Sequence, residues 1–474
     1  MLYCTCEKAT ERGSAFSGGI AHDLHCRPFL CSVALSRYRG GGTPTAGAPE
    51  YKNVNAQISS TEAIITEKGI AYLKKKLNAK RVRVDTRYRF YDMKYSVQEI
   101  AGVVPPQLKF IAYALGWCGT AVDNLANRLI FDRFEHDDFL LNEIFRLNSR
   151  DILFGSANLS ALIAACSFIY IGRGADGYPR LQVIDGGNAT GIIDPVTNML
   201  TEGYAVLERD ENKRPTLEAY FRPGITEYYR NGRRDDALTL THKAPYALLV
   251  PVIYRPDAKR PFGHSRISRA CMHIVEAVVR TLRRSEVSAE FYSFPQRYVL
   301  GLSDEADKVD KAQAIMSAFL DFRKDEDGDK PSVGQFEQQS MAPYTEQVRM
   351  LASVFAGETG LTLDDLGFAT ENPSSEGAIR AAHENLRLIA RRAQQTFGVG
   401  YLNAGYLAAC LRDDYAYSRS AFADTVPAWY PIFEPDAAGL ASIGDAILKM
   451  NQAQEGFMGA RNIRALTGMT GDAE

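Results

Sequence analysis

The sequence has no long apolar run. Its most hydrophobic stretch, Tyr246 to Tyr254, is short and is interrupted by Pro251, well under the roughly 18 residues a membrane-spanning helix needs. No membrane association is expected. Charge bias is missing too: 55 lysines and arginines face 57 aspartates and glutamates, a net charge of -2. Such a balance exerts no global pull on nucleic acid or anionic lipid, so any contact with DNA has to be local or weak. A secretory leader is also absent from the opening, where Glu7, Glu11 and Asp23 are scattered through a polar stretch, and export is not expected.

The common catalytic signatures are missing as well. The chain has no G-x-x-x-x-G-K-[ST] loop, no G-x-S-x-G elbow and no H-E-x-x-H pair; His383-Glu-Asn-Leu-Arg only begins like the last. Gly172-Arg-Gly-Ala-Asp-Gly177 spells a dinucleotide fingerprint, but Tyr178-Pro179 and a strand-like run follow it. A fingerprint of that kind needs a helix there to present its N-terminus to a pyrophosphate, so a hairpin turn is expected instead. Asp364, Asp365 and His383 are the groups an enzyme of unrecognised type would use. Capping of a helix start explains the adjacent aspartates more simply.

The 8 cysteines fall into two sets. Cys118, Cys166, Cys271 and Cys410 sit among apolar neighbours, as buried free thiols do in a reducing compartment. Cys4, Cys6, Cys26 and Cys31, with His22 and His25, offer zinc-compatible ligands, but Cys-x-Cys and Cys-x4-Cys are poor finger spacings. No metal or cofactor is expected.

With 46% hydrophobic residues over 474 positions, the chain can bury a large core. Residues 1–50 end in a glycine- and proline-rich run that reads as a flexible linker. Thr61 to Leu77 and Gln107 to Leu129 carry helical spacing, and a single helix is expected from Leu141 to Ala165. Short β-rich runs follow: Ser167 to Ile171, Arg180 to Ile184, Gly203 to Leu207, Thr216 to Phe221, Ile225 to Tyr229 and Leu248 to Tyr254. The fold class is α+β.

From Ser265 to Tyr292 a long helix is expected, with Ile267, Cys271, Ile274, Val278 and Leu282 on its packing face and Arg266, Arg269, His273, Arg280 and Arg284 on a narrow basic arc. A mixed-charge block, 294–341, then intervenes before helix Pro343 to Phe355 and a polar loop. Ser374 or Ser375 is expected to cap a long helix that Gly398 to Gly400 breaks. Val426 to Phe433 reads as an edge strand, and the tail from Asp436 as helix with Ile443, Ile447 and Met450 spaced for packing.

This order of parts resembles the portal proteins of tailed bacteriophages, of the type found in siphophages of Gram-positive and related hosts. The likeness extends from about residue 60 to 465. It rests on Tyr88-Arg-Phe-Tyr-Asp with Trp117 and Val122-Asp123, on Leu141 to Ile171, on Pro261-Phe-Gly-His-Ser-Arg-Ile, and on Val354-Phe-Ala-Gly-Glu-Thr-Gly-Leu to Ser374-Ser-Glu-Gly-Ala-Ile. The resemblance implies a non-enzymatic structural protein: a ring, twelve-fold in the family, at one capsid vertex, through which duplex DNA is packaged and ejected. Its parts would be an extension (1–50), wing (51–262), stem helix (263–293), clip (294–341), second stem helix (342–357), tunnel loop (358–374), a long helix returning to the wing (375–435) and a short crown (436–474). Thr370, Glu371, Asn372 and Ser374 would approach DNA in the tunnel loop. Arg266, Arg269, Arg280 and Arg284 would face either the channel or a neighbouring copy. Asp304, Lys308, Lys324 and Asp325 would lie on the clip, where the large terminase subunit docks before head completion or adaptor proteins replace it. Major capsid and scaffolding proteins are the other implied partners, with assembly in the host cytoplasm and residence in the virion. The alternatives are the enzyme described above and another phage ring or adaptor protein.

Overall fold

A computed structural model describes residues 68–97, 112–292, 297–300, 332–335, 340–368, 381–433, 435, 437–467 and 469. The chain divides into Met1–Ile65 and Thr66–Glu474, and everything described belongs to the second unit.

Leu73, Leu77 and Val84 recur at helical spacing and are buried along α1, Gly69–Tyr91. The start of this helix is fastened to the sheet behind it. The Glu202 carboxylate, itself buried, accepts the N–H groups of Lys68 at 2.8 Å and Gly69 at 3.0 Å and the Tyr220 hydroxyl at 2.7 Å. A carboxylate at that end answers both the orphan N–H groups and the positive pole of the helix. Leu73 and Leu77 then pack with Tyr204, Val206 and Tyr220 in a small apolar cluster of their own.

The sheet beneath comes in two parts. One is a meander of β4 (Ala189–Ile193), β5 (Leu200–Arg209), β6 (Pro215–Arg222), β7 (Ile225–Arg230) and β8 (Arg233–Thr241), all antiparallel neighbours in chain order. In the other, β2 (Cys166–Arg173) lies between β3 (Pro179–Asp185) and β9 (Leu249–Ile253). Pro251 is tolerated because β9 is an edge strand. Gly203 lets the two sheets meet, since a Cβ there would come within 3.0 Å of the Leu249 side chain. The Gly172 to Gly177 segment closes the β2–β3 hairpin, as its context required.

Six of the strands follow the expected runs. Among those that escaped them are β4, β8 and β1 (Phe131–Glu135), which pairs antiparallel with β12 (Val426–Trp429). Arginines and aspartates along β1 and β8 hide the alternation, because β8 is largely solvent-facing and β1 buries only Phe131 and Phe134.

Helices cover the sheets. The stretch expected as one helix from Leu141 to Ala165 is two, α3 (Leu141–Leu147) and α4 (Arg150–Ala164), preceded by α2 (Trp117–Ala126). Asn148 explains the break: its amide donates to the Pro179 carbonyl at 3.0 Å and its carbonyl accepts from Leu181 N–H at 2.9 Å, and Ser149 turns left-handed at φ 53°. Conversely, the break expected at Gly398 to Gly400 does not occur, and α7 runs unbroken from Glu384 to Arg412. These glycines mark close packing: a Cβ on Gly398 would touch Pro427 at 3.1 Å, and one on Gly400 would meet the Pro251 carbonyl at 3.2 Å.

Two long helices leave this body, α5 (Arg269–Tyr292) and α6 (Ala342–Thr359). They run antiparallel, as bonds of Ser268 to Glu358, Thr281 to Gln347 and Ser288 to Tyr344 show. Beyond their far ends β10 (Arg297–Leu300) pairs with β11 (Ser332–Gln335). The C-terminal helices are α8 (Ala437–Ala453) and α9 (Ala460–Thr467). Ile443 and Ile447 are half-buried, whereas Met450, expected to pack, is exposed. Among the described residues no helix is long and apolar enough to cross a membrane.

Candidate functional site

Tyr254 to Arg269 carries the chain from the sheet body into α5, and it is built with little tolerance. Asp257 organises the first turn, accepting N–H groups of Lys259 and Arg260 and bonding the His264 ring at 2.6 Å. Gly263 then sits at φ 73°, where a Cβ would lie 2.1 Å from the Tyr254 carbonyl. Only glycine fits there. His264 N–H donates to that same carbonyl at 2.9 Å.

The next three residues grip the C-terminus of α4 and the neighbouring α2. Ser265 Oγ donates to the Ile163 carbonyl at 2.6 Å, and Arg266 N–H to that of Leu162 at 2.8 Å. Arg266 Nε reaches the Ala121 carbonyl at 3.1 Å. Unpaired helix-end carbonyls are thereby answered, and the base of α5 is held by hydrogen bonds as well as by Ile267 and Cys271 in the core. α6 returns to the same end. Gly360 terminates it in a left-handed turn, Leu361 and Leu366 are buried, and Trp117 packs on Phe355 and Phe368.

Arg266 is thus a correction to the basic arc. It precedes the helix, is 7% exposed and has its guanidinium engaged at the joint, not displayed on the α5 surface. Arg269 is exposed, and Arg280 and Arg284 are half-buried along α5; none has an ion pair among the described residues. Thr370, Glu371, Asn372 and Ser374 lie outside the described residues, as do Asp304, Lys308, Lys324 and Asp325. So do residues 1–50.

The structure brings Asp365 and His383 together, with His383 Nδ1 3.9 Å from Asp365 Oδ2. That oxygen is already occupied, accepting Thr362 N–H at 2.8 Å and Thr362 Oγ1 at 2.9 Å. The arrangement caps the short turn Asp364–Leu366. No group of histidines, cysteines and carboxylates able to hold a metal occurs among the described residues. Cys118, Cys166, Cys271 and Cys410 are buried free thiols, pushed up by burial and so poor nucleophiles.

One set of residues escaped the sequence reading. Lys76, Lys80, Arg83 and Arg87 recur at steps of four, three and four along α1, which places them on one flank facing the joint. The Lys76 and Lys80 ammonium groups lie 4.9 Å and 5.8 Å from the ring of Phe262. Lys76 donates to the Gly191 carbonyl and Lys80 to that of Ala189, each at 2.7 Å, and Arg87 to that of Ala164 at 3.3 Å. The periodicity of cations, read like that of apolar residues, would have found them.

No family model matches the chain. It is 25% identical over 328 residues to the portal protein of Mycobacterium phage L5, spanning 65% of this chain and 67% of that protein. Against the portal protein of Mycobacterium phage D29 the identity is 25% over 346 residues, 69% of this chain and 70% of the other. Among solved structures it is similar to a chain from the virion of a native gene transfer agent particle, at 12% identity and a TM-score of 0.40, covering 81% of this chain and 99% of that one. A chain from the neck of the native particle, computed with C12 symmetry, gives 12% identity and a TM-score of 0.42 over 75% and 91%.

Proposed function

We infer that this chain is a portal protein of a tailed phage, a structural subunit of the conduit through which duplex DNA enters and leaves the head. The observation that carries this reading is the sequence similarity to the two mycobacteriophage portal proteins, which spans two thirds or more of each. The order of parts supports it. A sheet body anchors a pair of antiparallel helices at one end, and the far end of the pair opens into a separate two-stranded element.

Copies of the chain close head to tail into a ring, twelve-fold as the resemblance implies. A ring repeats each local patch about its axis, so a nearly neutral subunit still presents belts of charge. DNA has to slide through such a ring, which calls for weak, sequence-blind contact with the backbone. Thr370, Glu371, Asn372 and Ser374 supply it in the loop before α7. Asp304, Lys308, Lys324 and Asp325, between β10 and β11, present the surface on which the large terminase subunit docks and head completion proteins follow. Major capsid and scaffolding proteins surround the ring, which assembles in the host cytoplasm and stays in the virion.

Negative-stain electron microscopy of the purified full-length chain tests the reading. Rings with a central hole are expected; a compact monomer under assembly conditions, with no affinity for shell or motor components, would sink it.

A further inference from the structure

The seam between α1 and the Tyr254 to Arg269 joint is strongly lopsided in charge. α1 carries Lys74, Lys75, Lys76, Lys80, Arg81, Arg83, Arg87 and Arg89 against the single acid Asp85. Two of these cations are answered, Lys74 by Glu218 and Arg81 by Asp85. The flank of Lys76, Lys80, Arg83 and Arg87 has no ion pair among the described residues. Across the seam stand Arg260 and Arg269, also without one. The neighbouring Asp185 is engaged locally, accepting from Gly187 N–H at 2.6 Å and the Asn188 amide at 2.5 Å. Asp257 is held by His264.

The strain of this concentration is visible. Burial, and after it the charges of Arg83, Arg260 and Arg269, hold Arg87 below the usual arginine value. Burial first and then Lys80 and Lys68 depress Lys76, and burial depresses Lys80. Backbone carbonyls fix where Lys76, Lys80 and Arg87 point, but they contribute no countercharge. Arg83, Arg260 and Arg269 are exposed.

We propose that this seam binds the phosphate backbone of duplex DNA, as a contact on the sheet body separate from the channel. The flank from Lys76 to Arg87 covers about 16 Å of helix axis in rigid steps of about 4.5 to 6 Å. A duplex offers one negative charge per about 1.7 Å of its own axis, so a row of this length faces several phosphates at once. Exposed guanidinium forks suit phosphate oxygens, and the half-buried lysines behind them add field without needing contact. Nothing in the seam reads bases, which matches a partner of arbitrary sequence. The choice of DNA over an acidic protein rests on the portal reading, in which duplex DNA is the polyanion that every copy meets.

The test uses the full-length chain and a short duplex of arbitrary sequence, with fluorescence anisotropy titrations across a range of potassium chloride. Arg83→Glu with Arg260→Glu is expected to weaken binding about tenfold or more and to lower the salt slope by about two. Arg83→Gln with Arg260→Gln should produce a smaller loss in the same direction. Arg214→Glu, on the exposed turn between β5 and β6, should change neither. Circular dichroism and ring formation should be unchanged in all three. Rings that form normally but bind DNA as the unsubstituted chain does would overturn the proposal. So would polyglutamate competing as well as DNA at equal charge, which would make the occupant an acidic protein. Absence of rings in the unsubstituted chain, with the DNA loss still present, would overturn the portal reading and leave the seam standing.

Discussion

His242 follows the last residue of β8, with both ring nitrogens buried and without a hydrogen-bond partner among the described residues. Burial, reinforced by the positive charge of Arg173 and opposed by Asp414, pulls its ring down from the ordinary value of 6.5 to about 4. An imidazole depressed in the folded state takes up its proton more readily when the chain unfolds. Its neutral, stable state is therefore intact above pH 6.5, and stability falls as pH drops from 6.5 toward about 4. A single such group contributes a slope of up to about 1.4 kcal/mol per pH unit. Urea midpoints measured through that window should fall less steeply for His242→Leu than for the unsubstituted chain. Equal slopes would mean that the ring is solvated or paired.

Glycines in α7 show how one residue type serves opposite ends. A glycine pair in a helical stretch lowers helix propensity by about 1 kcal/mol each, which is why the sequence suggests a break at Gly398 to Gly400. The helix persists because those positions are pressed against Pro427 and the β9 backbone, and Gly405 against Leu141. Tertiary packing outweighs the local preference. Gly400→Val should cost about 1–3 kcal/mol through overpacking against the Pro251 carbonyl and Val252 Cα, read as a lower urea midpoint by tryptophan fluorescence. A neutral or stabilising result would show that the contact relaxes easily.

The same logic sorts what was legible. Strands with one buried face announced themselves by alternation, and the core face of α5 by Cys271 and Val278, both buried. The division between α3 and α4 was not legible, because it depends on Asn148 bonding a strand far along the chain. Arg266 shared a helical arc with Arg269 and Arg280 by count alone; the start of α5 at Arg269 removes it. The candidate loop and clip residues fall outside the described residues, and the α1 cations were not legible as a row because the apolar spacing suggested a helix ending near Leu77, whereas α1 runs on to Tyr91.

In the ring proposed above, Arg280 and Arg284 would face either DNA or the acids of the next copy. Charge reversal separates these. If Arg280→Glu with Arg284→Glu abolishes rings in negative-stain images, the residues hold neighbours together; if rings persist and DNA affinity falls about tenfold, they line the passage. Intact rings with unaltered affinity would exclude both roles.

The grip on the base of α5 has a mechanical corollary. α5 has 24 residues, so its tip lies about 36 Å from its base, and a tilt of about 5° at the base displaces the tip by about 3 Å. Small adjustments between Tyr254 and Arg269 are magnified along that arm. A socket as stiff as the one around Gly263 therefore sets how faithfully motion in the body arrives at the distant strands, much as a bearing with little play governs the swing of a long pointer.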